Sequence, residues 1–182
     1  MSAELLTESV IGEGSADSDL DHEELSAIVE HALEIIKDDE RVLAIIPDKT
    51  RDDNTDVLFP MASRILDQRS VKCFDALVAQ GTHPPMSGEQ KLSKLGLDQF
   101  TGTVFDHRWD RPEDLITLGE LTAEQVTDLT AGLITKAVPV TLNKLLAPGI
   151  YDTVLVFGAT VPHAQRSKSH CWNSSPWSRS QP

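Results

Sequence analysis

The chain lacks the features that mark membrane-spanning and secreted proteins. Its 182 residues include two cysteines, too few for a disulfide framework, and no apolar run approaches the roughly 20 residues that cross a bilayer. The first residues have neither a basic start nor an apolar stretch, so a secretory signal is not expected. Together these absences predict a cytoplasmic protein.

Basic residues are also scarce. The chain has 16 Lys and Arg residues and 29 Asp and Glu residues, which gives a formal net charge of -13. Proteins that bind nucleic-acid phosphates normally carry clustered basic side chains, so neither a nucleic acid nor a membrane is predicted as a partner. Residues 1–56 contain 17 of the acidic residues but only four of the basic ones. This acidic segment is interpreted as a solvated tail and helix face.

Several motifs of common enzyme classes are missing. There is no HxxxH, HExxH or paired CxxC spacing, so no metal ligands are predicted. There is also no Walker loop, no GxGxxG and no GxSxG. The chain therefore lacks the usual signatures of P-loop, dinucleotide-binding and α/β-hydrolase proteins.

Apolar periodicity predicts alternating helices and strands. Helices are expected at 22–39, 55–68, 87–96 and 122–134, and strands at 42–46, 71–79, 103–105, 115–118, 138–142 and 153–157. This alternation is typical of an α/β fold, with a mostly parallel sheet and helices on both faces.

Composition divides the chain into three parts. Residues 1–20 are rich in acids, Gly and Ser and are expected to form a flexible tail, while 21–163 form the α/β domain. Residues 164–182 contain six serines and two tryptophans but no acid and no aliphatic residue other than Ala164. Two interpretations of this last segment stay open: a disordered tail, or translation out of the original reading frame.

Three polar motifs each follow a predicted strand. They are Asp48-Lys49-Thr50-Arg51, Gly81-Thr82-His83 and Val161-Pro162-His163. Ligands of open parallel sheets bind at the carboxyl ends of the strands, so we expect these motifs to line one crevice.

The residue types at this edge favour acid–base chemistry on an anion. His83 has a glycine two residues before it and two prolines directly after it, and a rigidly held imidazole suits proton transfer. The alternative is a loop histidine without a function. His163 carries the same argument. Arg51 suits a carboxylate, and Asp48 could orient a histidine or bind a ribose, unless the two simply form a local ion pair. His107 is interpreted as structural.

These motifs resemble a known family. Asp48-Lys49-Thr50-Arg51 is similar to its D-x-T-R motif, and Gly81-Thr82-His83-Pro84-Pro85-Met86 to its G-T-H-R-P-M segment. Asp106-His107-Arg108-Trp109, Val140-Thr141-Leu142-Asn143-Lys144-Leu145 and the strand ending in Pro162-His163 also fit. Over residues 42–163 the chain resembles the N-terminal lobe of two-domain, nickel-dependent lactate racemases and related 2-hydroxy-acid racemases and epimerases.

The resemblance implies an isomerase that acts on a small 2-hydroxy acid. In that family a nickel pincer nucleotide accepts a hydride from the substrate and returns it to either face, while two histidines serve as alternate base and acid. By motif these histidines are His83 and His163. The family positions near cofactor or substrate correspond to the following residues: Asp48, Thr50, Arg51, Gly81 and Thr82.

The chain also departs from the family pattern. Pro84 replaces an arginine, and Asp52-Asp53 stand where Pro-Thr is usual. The lysine that anchors the pincer and the histidine that ligates nickel are not found, nor is a C-terminal lobe. The chain is therefore expected to be truncated and inactive alone. The alternatives are a non-catalytic domain that binds a small anion and a non-functional product of a damaged reading frame.

Overall fold

The structure is a computed structural model that describes residues 11–12 and 19–158. The predicted tails at 1–20 and 164–182 therefore lie outside the described residues, apart from positions 11–12 and 19–20. Within the described part, no helix is both long enough and apolar enough to cross a membrane.

The described residues form four helices and six strands, which mostly alternate in sequence. The helices are α1 (His22–Ala32), α2 (Thr55–Gln68), α3 (Gly88–Leu95) and α4 (Ala123–Leu129). The strands are β1 (Arg41–Ile46), β2 (Cys73–Val78), β3 (Val104–Asp106), β4 (Leu115–Leu121), β5 (Val138–Asn143) and β6 (Thr153–Val156). Short 3-10 turns cover Leu33–Ile35, Pro112–Asp114 and Lys144–Leu146.

A parallel four-stranded sheet in the order β3-β2-β1-β6 forms the centre of the molecule. Ala44 of β1 pairs with Ala76 of β2 on one side and with Leu155 of β6 on the other. The predicted α/β class with a parallel sheet flanked by helices is confirmed. Strands β4 and β5 do not join this parallel sheet. They pair antiparallel in a separate two-stranded sheet.

The core lies between the parallel sheet and the first three helices. Alternate residues of a strand face the same side, so Val42, Ala44 and Ile46 of β1 join the buried cluster together. Phe59 of α2 is fully buried, and its ring lies 5.0 Å from the ring of Phe74 in β2. This stacking joins α2 to the sheet and so holds the loop between β1 and α2 in place.

Side-chain caps set the beginnings of two predicted helices. Ser87 and Thr122 each accept a hydrogen bond from a backbone N–H in the first turn, and both form a capping box with the glutamine three residues later. Helix α4 ends at Leu129 rather than at 134. Ala131 and Gly132 follow with φ values of 50° and 84°, which an α-helix cannot contain.

Gly96 ends α3 where only glycine fits. Its φ is 66°, and a Cβ built on it would lie 2.0 Å from the carbonyl oxygen of Asp56 in α2. Pro60, four residues after Asp56, has no N–H to donate to that carbonyl. The close approach of the two helices therefore depends on a proline in one and a glycine at the end of the other.

We expect Gly96→Ala to lower the free energy of unfolding by about 2–4 kcal/mol, because it adds left-handed strain to a clash with backbone. Gly88→Ala is the matched control: its added Cβ meets no atom within 4 Å, and alanine favours the helix. Urea denaturation of both variants checks this. Equal midpoints for the two would contradict the packing described here.

Candidate active site

A groove opens at the carboxyl ends of three parallel strands. Its volume is about 360 Å³. It is lined by residues that end or follow β1, β2 and β6: Ile45, Ile46, Pro47, Asp48, Arg51, Ala79, Gln80, Gly81, Thr82, His83, Val156 and Phe157. Because β2 and β6 flank β1 on opposite sides, this is the switch point at which parallel sheets form ligand crevices.

The groove contains a carboxylate–imidazole pair. Asp48 follows β1 and is only 4% exposed, whereas the His83 side chain, beyond β2, is 49% exposed. The Asp48 Oδ2 atom lies 2.5 Å from the Nδ1 atom of His83. The parallel pairing of β1 with β2 thus brings together two groups that are 35 positions apart in the chain.

Asp48 is held as an anion. Burial raises the pKa of this carboxyl group, but hydrogen bonds from Thr50 and His83 outweigh burial, and the pKa of Asp48 is lowered overall. An ionised carboxylate only accepts hydrogen bonds, so Nδ1 of His83 must carry the hydrogen in this contact. In the neutral imidazole the lone pair is then on Nε2, the nitrogen that does not contact Asp48.

Thr50 and Arg51 take different roles in the loop after β1. The Thr50 N–H and hydroxyl both donate to Oδ1 of Asp48, at 2.9 and 2.5 Å. The Arg51 N–H donates to the Asp48 carbonyl oxygen at 3.1 Å, but no ion pair joins the two side chains, both of which the structure describes. The local ion pair considered from the sequence is therefore absent, and exposed Arg51 lines the groove.

The loop after β2 brings Gly81 and Thr82 to the same groove. Gly81 has a φ of 57°, the left-handed conformation that favours glycine, and a Cβ there would meet no neighbour. The His83 N–H closes the turn by donating to the Gln80 carbonyl oxygen at 3.0 Å. Thr82 is exposed. His163 lies outside the described residues, so its place at this edge remains a prediction.

Gln80 is a groove residue that the sequence did not single out. It is 4% exposed, and its Oε1 atom has no hydrogen-bond partner within residues 11–12 and 19–158. Its position immediately before the Gly81 turn was the only available signal. Burial of a glutamine side chain at a strand end is not predictable from a single sequence.

The polar residues at the end of β3 and just after it bind both other parts of the chain and one another. His107 Nδ1 lies 3.2 Å from the amide nitrogen of buried Asn143, and Asp106 binds Lys91 at 2.7 Å. Arg108 binds Asp110 at 2.7 Å. These contacts agree with the structural interpretation of His107.

Asp53 anchors the far end of the loop that carries Asp48. Its side chain is 2% exposed and accepts hydrogen bonds from the Thr55 hydroxyl and from Lys94 of α3, at 2.5 and 3.0 Å. Burial raises the pKa of Asp53, but these hydrogen bonds lower it overall. The ion pair ties the loop to α3, so both ends of the segment between β1 and α2 are fixed.

The described residues do not offer a metal centre. In that part of the chain, no three His, Cys, Asp or Glu side chains are grouped so that they could hold a metal ion. The pair of Asp48 and His83 has no third such neighbour within this limit.

Comparison with known proteins agrees with the fold. A crystal structure of a protein from Thermotoga maritima superimposes with a TM-score of 0.73 at 30% sequence identity, over 79% of this chain. The chain spans 34% of that protein's length. Among curated proteins, none matches significantly.

The family model for the lactate racemase N-terminal domain matches residues 14–165. This range includes all six strands and every loop that lines the groove. The chain therefore belongs to the lactate racemase N-terminal domain family.

Proposed function

We propose that this domain supplies the proton-transferring and carboxylate-binding part of a racemase or epimerase that acts on a lactate-type 2-hydroxy acid. The observation that carries the proposal is the Asp48–His83 pair, 2.5 Å apart, in a groove that Arg51 also lines. Membership in the lactate racemase N-terminal domain family supports the reaction class.

His83 is the proton acceptor in this proposal. Oxidising a 2-hydroxy acid to its 2-keto acid removes a hydride from the α carbon, which a cofactor would have to accept, and a proton from the hydroxyl, which needs a base. With Nδ1 donating to ionised Asp48, the neutral ring offers its Nε2 lone pair to that hydroxyl. Asp48 holds the ring in this tautomer and stabilises the imidazolium that forms.

Arg51 is the proposed carboxylate clamp. A substrate anion meets a chain with a formal net charge of -13, so attraction must come from a local cation. The planar guanidinium of Arg51 can form two parallel hydrogen bonds to a carboxylate. Its freedom from Asp48 leaves it available for this contact.

Inversion at carbon requires acid–base groups on both sides of the substrate. By its family motif His163 is the second histidine, and Thr50, Gly81 and Thr82 complete the proposed surroundings of substrate or cofactor. A cytoplasmic location belongs to the same proposal; the low cysteine content supports it.

The family resemblance implies a nickel pincer nucleotide as hydride acceptor. The described residues do not fit the metal, because they contain no suitable group of three ligands. The proposed roles of Asp48, His83 and Arg51 therefore rest on the geometry of these three residues alone.

The proposal predicts that lactate binds in the groove through Arg51. We expect lactate to shift the backbone NMR signals of residues 48–51 and 80–83 at millimolar concentration. Arg51→Gln should weaken binding about tenfold or more, because it removes a charged hydrogen-bond donor.

Arg64→Gln serves as the control, since Arg64 lies on α2 and binds Ser26 at 3.0 Å, outside the residues that line the groove. It should leave lactate affinity unchanged. Lactate binding that survives Arg51→Gln, or shifts confined to residues outside the groove, would count against the proposed function.

A second prediction concerns turnover. We expect no racemisation of D- or L-lactate by the purified 182-residue chain, even with pincer nucleotide and nickel supplied. The reason is that no side chain stores a hydride, and the described residues contain no group of three side chains that could hold a metal ion. Chiral chromatography measures the outcome. Turnover that disappears in His83→Ala would show that the chain holds the cofactor unaided.

A further inference from the structure

The two carboxylate oxygens of Asp48 have separate tasks. Oδ1 accepts hydrogen bonds only from Thr50, through its N–H at 2.9 Å and its hydroxyl at 2.5 Å. Oδ2 accepts only from the His83 ring, at 2.5 Å. These are all the hydrogen bonds of the Asp48 side chain within the described part of the chain.

Because the Asp48 side chain is buried, the loss of a donor to either of its oxygens is not easily made good. The Asp48 side chain is 5% exposed, so water can hardly replace a lost donor, whereas Thr50 itself is exposed. A carboxylate that loses one of the donors to Oδ1 can rotate about χ2 and offer its oxygens differently to the ring. The hydroxyl of Thr50 therefore restricts which oxygen faces His83, and in which direction.

We propose that Thr50 is a positioning residue, whose hydroxyl orients Asp48 so that His83 keeps its hydrogen on Nδ1 and its Nε2 lone pair in the groove. This inference rests on the proposed function of His83. It replaces the direct contact with substrate or cofactor that family resemblance implies for Thr50. Among the described residues, the charged side chains that line the groove with His83 are Asp48, which contacts the ring, and Arg51.

The chain contains a matched control for this arrangement five residues later. Thr55 donates its N–H and its hydroxyl to Oδ1 of Asp53, at 3.0 and 2.5 Å, as Thr50 does to Asp48. The difference lies in the partner, because Asp53 binds Lys94 and not a histidine. A substitution at Thr55 thus removes the same kind of hydrogen bond without touching the imidazole.

The experiment compares Thr50→Val, Thr50→Ser and Thr55→Val in the full chain. Long-range ¹H–¹⁵N NMR spectra report which ring nitrogen of His83 carries the hydrogen. We expect a single Nδ1–H tautomer in the original chain, a mixture in Thr50→Val and a single tautomer again in Thr50→Ser. Thr55→Val should lose stability, since Thr55 is fully buried, but should keep the original tautomer.

A second readout is the titration of the Asp48 carboxyl carbon. Loss of the Thr50 hydrogen bond removes a donor to the charged form, so the pKa of Asp48 should rise in Thr50→Val. The stability that the ionised Asp48 contributes is present above its unfolded pKa and is lost as pH falls through its folded pKa. In Thr50→Val this loss should be smaller in total and should be complete at a higher pH, because the folded pKa lies closer to the unfolded one.

Three results would overturn the inference. One is an unchanged His83 tautomer in Thr50→Val; another is an equal change in Thr55→Val. The third is a Thr50→Val chain that loses lactate binding while its tautomer is unaffected, which would make Thr50 a ligand contact. Failure of the original chain to bind lactate would instead sink the proposed function, and the tautomer data would remain independent of it.

Discussion

The parallel pairing of β1 with β2 on one side and β6 on the other is the constraint on which the rest of the molecule depends. It places Ala44 opposite both Ala76 and Leu155, so that all three strands end at one edge. Any slip in register would separate the loop that carries Asp48 from the loop that carries His83.

The second level of organisation is electrostatic. Asp48 and Asp53 are carboxylates with side chains almost fully buried at either end of one loop, and each is kept ionised by a threonine and a nitrogen donor. Asp53 forms an ion pair with Lys94 and so fixes the loop to α3. Asp48 instead accepts a hydrogen bond from the half-exposed imidazole of His83. The same local construction therefore serves anchoring at one end and ring orientation at the other.

Local periodicity accounts for much of the fold. Helix α2 was predicted at 55–68 and lies at Thr55–Gln68, because its apolar stripe is strong and contains the core residue Phe59. Helix α4 is shorter than predicted, since the sequence does not reveal that Ala131 adopts a left-handed conformation. The antiparallel pairing of β4 with β5 was also not predictable, because the pattern of apolar residues identifies a strand but not the strand that pairs with it.

The site was predictable in outline only. The structure places Asp48, Arg51 and His83 in one groove, as the rule for the carboxyl ends of parallel strands predicts, while the predicted place of His163 lies outside the described residues. Spacing could not decide whether Asp48 pairs with nearby Arg51 or with distant His83, because that choice depends on side-chain direction after folding. The contact of Thr50 with Asp48 is equally invisible in the motif, as is the burial of Gln80.

The central claim is that a 2-hydroxy acid lies between Arg51 and the imidazole of His83. Intermolecular nuclear Overhauser effects between lactate and the full chain measure this most directly. The account predicts contacts from the α proton of lactate to the ring protons of His83. Contacts confined to the charged hollow beside α3, which Lys49, Glu89 and Lys94 line, would contradict it.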